Sequence, residues 1–201
     1  MNYIKFDTID STNDFLKSYI QTHRPENFFY VFAEEQTKGK GQRLNNWKSE
    51  CCKNILISYF IKLNLPAEKH FLLNQKVSVA LIKLLQKFNI TDIKIKHPND
   101  ILAGNEKISG ILIENAIYKN HIRHSIIGIG LNVNQTHFKN LPFATSMKKI
   151  TGKNFDREKI IDALGKELKK VFLMSEKEIE DLYNSYLYTP ESSVFPLQNE
   201  D

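Results

Sequence analysis

Between Asp92 and Asn134 the chain reads as one strand-length segment after another, and this stretch constrains the fold more than any other. Asp92 to Lys96 alternates as a strand and stops at His97-Pro98, since proline has no N–H with which to continue a ladder. Ile101-Leu102, the turn residues Gly104-Asn105 and the run from Lys107 to Tyr118 read as a hairpin. Ser125 to Asn134 follows as a further strand, interrupted by Gly128 and Gly130. Strands that succeed one another through hairpins, with helices between others, argue for an α+β fold around a mixed, largely antiparallel sheet.

The remaining segments fit that frame. Tyr3 to Phe6 alternates as a short strand, and Asp10-Ser11-Thr12-Asn13-Asp14 predicts a helix start with Ser11 as N-cap. Phe28 to Ala33 and Asn54 to Leu63 read as strands, the first of them buried. Leu72, Leu73, Val77, Ala80, Leu81, Leu84, Leu85 and Phe88 keep the 3.6-residue period of a long helix packed on a sheet. Asp156 caps a helix carrying Ile160, Ile161, Leu164, Leu168, Val171 and Phe172, and Glu176 to Leu187 predicts another. Glu34 to Ser49 has no periodicity; a long loop inside a compact domain is most often functional or disordered.

At 201 residues and 41% hydrophobic, the chain can bury one core of ordinary size. No apolar run is long enough to span a membrane, and the mixed charges of Lys5, Asp7 and Asp10 leave no signal-peptide core near the start. Cys51 and Cys52 are adjacent, which gives neither a disulfide framework nor metal-ligand spacing. A cytoplasmic protein is expected. The net charge of +5 comes with 24 lysines against four arginines. No five basic residues are consecutive, so the lysines read as solvated faces rather than a nucleic-acid footprint.

Four constellations carry chemistry. Gln36-Thr37-Lys38-Gly39-Lys40-Gly41-Gln42-Arg43, with Trp47 beyond it, sets cations among glycines whose N–H groups can approach an anion closely. It lacks the Gly-Lys-Ser/Thr ending of a P-loop, and alone it is an ordinary surface loop. Lys96-His97-Pro98-Asn99-Asp100 delivers an amide and a carboxylate at a strand end, although Pro-Asn-Asp is also plain turn chemistry. Lys107 enters a very apolar strand with Gly110 three residues on; such a lysine either snorkels to solvent or holds an anion. In Gly128-Ile129-Gly130-Leu131-Asn132 the glycines suggest close approach of a ligand or backbone, and Asn132 can donate and accept at once.

Taken in order with Asp10-Ser11-Thr12-Asn13, and with Glu114 closing the Lys107 block, these blocks resemble the biotin–protein ligase (biotin–acetyl-CoA-carboxylase ligase) pattern over about residues 3 to 172. The resemblance implies the fold shared with class II aminoacyl-tRNA synthetases, a mixed sheet with helices on one side. It implies that biotin's carboxylate attacks the α-phosphorus of Mg-ATP, and that biotinyl-5′-adenylate then passes biotin to a lysine of a biotin carboxyl carrier protein. Carried over residue by residue, it implies that Ser11, Thr12, Asn13, Gln36, Gly39, Lys40, Lys107 and Gly110 bind biotin. Lys40, Gly41, Arg43, Trp47, Asn99, Asp100, Lys107 and Asn132 would bind ATP, Asp100 would face Mg2+, and Lys107 and Arg43 would be catalytic. The expected partners are this carrier and the small-molecule substrates, with no DNA and no membrane; a homodimer is compatible with the resemblance.

The departures matter too. Lys40 replaces an arginine of the family loop, Leu44 a glycine, Asn45 an arginine and His97 a tryptophan. Lysine keeps the charge but cannot fork onto a carboxylate. The catalytic domain is expected over residues 1–187, with 188–201 too short for the family's C-terminal SH3-like barrel, and no DNA-binding helix-turn-helix is expected ahead of it. The alternatives are lipoate–protein ligase, whose loop motif differs, and a catalytically impaired relative that binds biotin at most.

Overall fold

The structure, a computed structural model, describes residues 2–42 and 45–189. Seven strands form one sheet in the order β1-β2-β3-β7-β6-β5-β4. They are β1 (Tyr3–Ile9), β2 (Phe29–Gln36), β3 (Ile55–Pro66), β4 (Ile93–Lys96), β5 (Asp100–Ala103), β6 (Glu106–Tyr118) and β7 (His121–Leu131). Only β1 and β2 run parallel; the other neighbours are antiparallel. The parallel pair follows from α1 (Thr12–Thr22), which carries the chain back between β1 and β2. The sheet is therefore mixed and largely antiparallel, as the hairpin pattern predicts. No helix is long and apolar enough to cross a membrane among the described residues.

Period-two alternation sorts the strand residues onto two faces. Tyr30 and Phe32 of β2, Ile57, Tyr59 and Ile61 of β3 and Ile127 and Ile129 of β7 pack in one large core. That core is covered by α2 (His70–Lys87), α4 (Arg157–Leu173) and α5 (Glu176–Ser185). The long helices thus share one side. Phe29, Val31, Phe60 and Ile126 point the other way and meet Leu16 of α1, so α1 alone of the longer helices lies on the opposite face. Single Ser11 accounts for the helix start: its hydroxyl accepts from the Asp14 amide. At the far end of the helical layer, Lys76 is buried and donates to the carbonyls of Val171 and Met174, closing the C-terminus of α4.

Several boundaries differ from expectation for identifiable reasons. β1 runs on to Ile9 and β2 to Gln36, because each supplies the other's ladder. The β7 strand starts at His121 rather than Ser125, after a two-residue turn in which Lys119 and Asn120 both have left-handed backbones. It ends at Leu131, and the chain bends at Asn132 toward a short helix, α3 (Met147–Thr151), that the apolar pattern does not announce. Beyond α5, Leu187 bridges Ile95 of edge strand β4 and the Tyr188 amide donates to the Ile95 carbonyl.

One irregularity positions the site. Ile101 of β5 pairs with Ser109 and Leu102 with Lys107, so Ile108 is an extra residue on β6. Strict alternation would turn Lys107 to the same side as Ile111 and Ile113, under the helical layer. The bulge turns it to the α1 face instead, beside Gly110.

Candidate functional site

A cleft of about 460 Å³ opens on the α1 face where the ends of β2, β6 and β7 meet the N-terminus of α1. Of the residues singled out in the sequence, Ser11, Thr12, Asn13, Gln36, Lys40, Gly41, Trp47, Asn99, Asp100, Lys107 and Gly110 all line it. Gly39 lies just behind the wall, where its carbonyl accepts from the Trp47 amide at 2.9 Å. Asn132 does not reach the cleft; it lines a neighbouring cavity of about 510 Å³. Arg43 lies outside the described residues.

Trp47 explains the glycines of the central strands. Gly110 and Gly130 are paired across β6 and β7, and the indole lies flat against both. A Cβ at Gly110 would fall 2.9 Å from the ring and one at Gly130 would overlap it outright. Gly128, next along the strand, leaves the same room for the Asn13 amide. The sheet is bare backbone here so that side chains from elsewhere can lie on it.

Lys107 stands at the boundary between the two cavities, both of which it lines together with Trp47 and Asp100. Its Nζ is 2.7 Å from Asp100 Oδ1 and 5.5 Å from the Trp47 ring centroid. Its backbone is fixed on both sides: the amide donates to the Phe143 carbonyl at 2.7 Å, and its carbonyl accepts from Thr145 at 2.9 Å. Asn99 is held against β6 by reciprocal bonds, its side chain donating to the Ile111 carbonyl and its carbonyl accepting from the Ile111 amide. Asp100 is the only carboxylate lining either cavity among the described residues.

The loop after β2 is tied to α1 rather than loose. Lys38 pairs with Asp10 at 2.8 Å, and Thr37 also donates to that carboxylate; the Lys38 and Thr37 hydrogen bonds together hold the Asp10 carboxyl below its usual range. Lys40 lines the cleft, but its ammonium is paired with Asp14 at 2.6 Å, so part of its charge is already answered. At the other end of the loop, Cys51 and Cys52 are exposed thiols, and the Cys52 thiol beside it pushes Cys51 up to about 11.

Sequence reasoning missed Ser58. It is fully buried on β3, with Oγ 2.7 Å from Thr12 Oγ1 and 2.5 Å from Asn13 Oδ1. A lone serine in an apolar strand gave no signal beyond its polarity. Asn132 carries structural bonds that the sequence did not show: its side chain donates to the Thr145 carbonyl at 2.9 Å and its backbone amide to the Ile108 carbonyl, which anchors the chain as it leaves β7. An amide so committed has its remaining N–H and its carbonyl oxygen for a ligand in the second cavity.

Comparison with known proteins matches these features. The model of the "Biotin/lipoate A/B protein ligase family" covers residues 5–132, from β1 to the end of β7. Bifunctional ligase/repressor BirA of Bacillus spizizenii is 30% identical over 190 residues, which is 92% of this chain and 55% of that protein. The biotin--[acetyl-CoA-carboxylase] ligase of Mycobacterium tuberculosis is 28% identical over 142 residues, 69% of this chain and 52% of its own length. The chain thus spans about half the length of the curated relatives it matches. Among solved structures, the biotin protein ligase from Aquifex aeolicus in complex with biotin and ATP superposes with a TM-score of 0.79 at 27% identity, covering 92% of this chain and 78% of that one. Since the family match runs through every strand of the sheet and takes in all the cleft residues singled out above, this chain belongs to the biotin/lipoate A/B protein ligase family.

Proposed function

We propose that this protein activates biotin with ATP and transfers it to a lysine of a biotin carboxyl carrier protein. The observation that carries the reading is the placement of Lys107 where two cavities meet, one rich in polar groups and one with a more apolar wall. Biotin would lie in the first, its ureido ring toward Ser11, Thr12, Asn13 and Gln36 and its carboxylate at the boundary. The nucleotide would lie in the second, with Trp47, Asp100 and Asn132 around it and Asn99 next to Asp100 in the wall of the first.

The chemistry needs little acid–base help. A carboxylate oxygen attacks the α-phosphorus of ATP, pyrophosphate leaves, and the lysine amine of the carrier then attacks the mixed anhydride and expels AMP. The difficulty is bringing two anions together in line, which fixed cations and N–H donors relieve. Lys107 is suited to this: exchanging Asp100 for a phosphate or carboxylate oxygen keeps its ammonium paired. Lys40 is placed to follow by exchanging Asp14. Arg43, beyond the described residues, keeps the role expected from the sequence.

Mg2+ enters as the metal of Mg-ATP. No group of three His, Cys, Asp or Glu side chains is arranged to hold a metal among the described residues. Mg2+ is commonly bound through one or two carboxylates plus substrate phosphates, and Asp100 fits as such a single ligand.

Biotin-dependent exchange of labelled pyrophosphate into ATP tests the reading. Exchange with biotin and none with lipoate or octanoate is the expected result. Exchange with lipoate or octanoate would move the protein to the lipoate branch of the family, and exchange with none of them would leave a protein without ligase activity.

A further inference from the structure

We propose that Ser58 and Glu114, neither of which lines the cleft, are positioning residues that fix the hydrogen-bonding polarity of Thr12 and Asn13, beside Gln36, toward biotin; the inference rests on the reading of the cleft as a biotin site. The five residues form one connected path. Gln36 Oε1 accepts from both the Thr12 amide at 2.7 Å and the Thr12 hydroxyl at 2.9 Å. Ser58 Oγ links Thr12 Oγ1 to Asn13 Oδ1. Asn13 Nδ2 donates to Glu114 Oε2 at 2.8 Å, and the other oxygen of Glu114 accepts from Lys17.

The ends of this path determine what the middle presents. A carboxylate only accepts, so Glu114 forces the NH2 side of the Asn13 amide toward β6 and its oxygen toward Ser58. At the other end the Thr12 amide, which can only donate, holds Gln36 Oε1 as an acceptor, so the Thr12 hydroxyl donates to it and the one proton of Ser58 is shared between Asn13 Oδ1 and Thr12 Oγ1. Both acceptor positions on Gln36 Oε1 are taken, which leaves its NH2 as the group that this cleft-lining residue can still offer. Ser11 accepts from Asp14 as the helix cap, so its own proton is free as well. The wall therefore offers N–H and O–H donors for a carbonyl oxygen, with Thr12 Oγ1 retaining a lone pair for an N–H. That is the complement of a cyclic urea. Thr12, Asn13 and Ser58 are all at least nine-tenths buried, so water does not substitute readily for a missing partner.

Glu114→Gln is the sharper test, because an amide at 114 can accept from Asn13 or from Lys17 but puts its NH2 against the other. Ser58→Ala breaks the path in the middle. In pyrophosphate exchange both variants are expected to raise the KM for biotin about tenfold or more while the KM for ATP and the rate at saturating biotin stay within about twofold. A biotin KM within twofold of the unaltered protein, or an ATP KM that rises in step with it, would overturn the proposal. If Ser58→Ala does not fold, Glu114→Gln alone decides. If the unaltered protein shows no exchange at all, the ligase reading fails separately, and the relay is judged by the side-chain NH2 signals of Asn13 in 15N NMR. Slow hydrogen exchange of these protons, made at least about tenfold faster by Glu114→Gln, supports it; unchanged exchange overturns it.

Discussion

Replacing Lys107 by methionine keeps the stem and removes the charge, and its consequences for folding and for chemistry separate cleanly. On the folding side, the ion pair with Asp100 is short at 2.7 Å, but the lysine side chain is 36% exposed, so solvent screens it. Such a pair contributes about 0.2–1 kcal/mol, and the ammonium over Trp47 adds about 0.5–1 kcal/mol. The sum of about 0.7–2 kcal/mol shifts the melting temperature of a chain this size by roughly 2–4 °C per kcal/mol. On the chemical side, losing one preorganised group that meets developing charge costs on the order of 10²–10³ in rate. Pyrophosphate exchange should thus fall by about two to three orders of magnitude in a protein that melts within ten degrees of the original. Biotin affinity should weaken as well, because the carboxylate loses its counter-charge. A methionine variant that melts normally and exchanges pyrophosphate at the original rate would refute the assignment of Lys107, and one that fails to fold would show that the ammonium is structural.

Other outcomes follow from the same geometry. Gly130→Ala sets a methyl into the Trp47 indole; the single tryptophan should be displaced, seen as a red shift in its fluorescence, with a stability cost of about 1–3 kcal/mol. Asn132→Ala removes the donor to the buried Thr145 carbonyl, so thermal denaturation should report a loss of about 1–3 kcal/mol. A rise in ATP KM without any change in melting would show instead that Asn132 serves the nucleotide alone. In acid, burial would raise the carboxyls of Glu34 and Glu167, but Arg157 with Lys5 and Lys87 with Lys170 outweigh it and hold both below the usual value of 4.5. Their pairing therefore stabilises the fold fully above that value and is lost as pH falls through the lowered ones. Glu167→Gln should flatten the acid limb of a stability-versus-pH curve and leave the neutral plateau less stable.

Much of this protein was legible in one dimension because its signals are local. The Ser11 cap, the 3.6-residue stripe of α2, the Gly104-Asn105 turn and the stop at His97-Pro98 each depend on residues a few positions apart, and each lies where the spacing puts it. The order of the short motifs, from Ser11 to Asn132, likewise carries the family resemblance, and the family match spans them. What the sequence could not contain is the consequence of pairing. Whether Lys107 faces a cleft or a core depends on a one-residue slip against β5, and a bulge exists only relative to a partner strand. Why Gly110 and Gly130 are glycines becomes clear only when Trp47, from a loop more than sixty residues earlier, lies on them. Ser58 was invisible because a hydroxyl in an apolar strand acquires meaning from what it meets, and its neighbours Thr12 and Asn13 come from 46 and 45 residues away, with Glu114 101 residues from Asn13. Periodicity and caps are short-range and survive in the sequence; register and hydrogen-bond direction are long-range, and the packed sheet alone decides them.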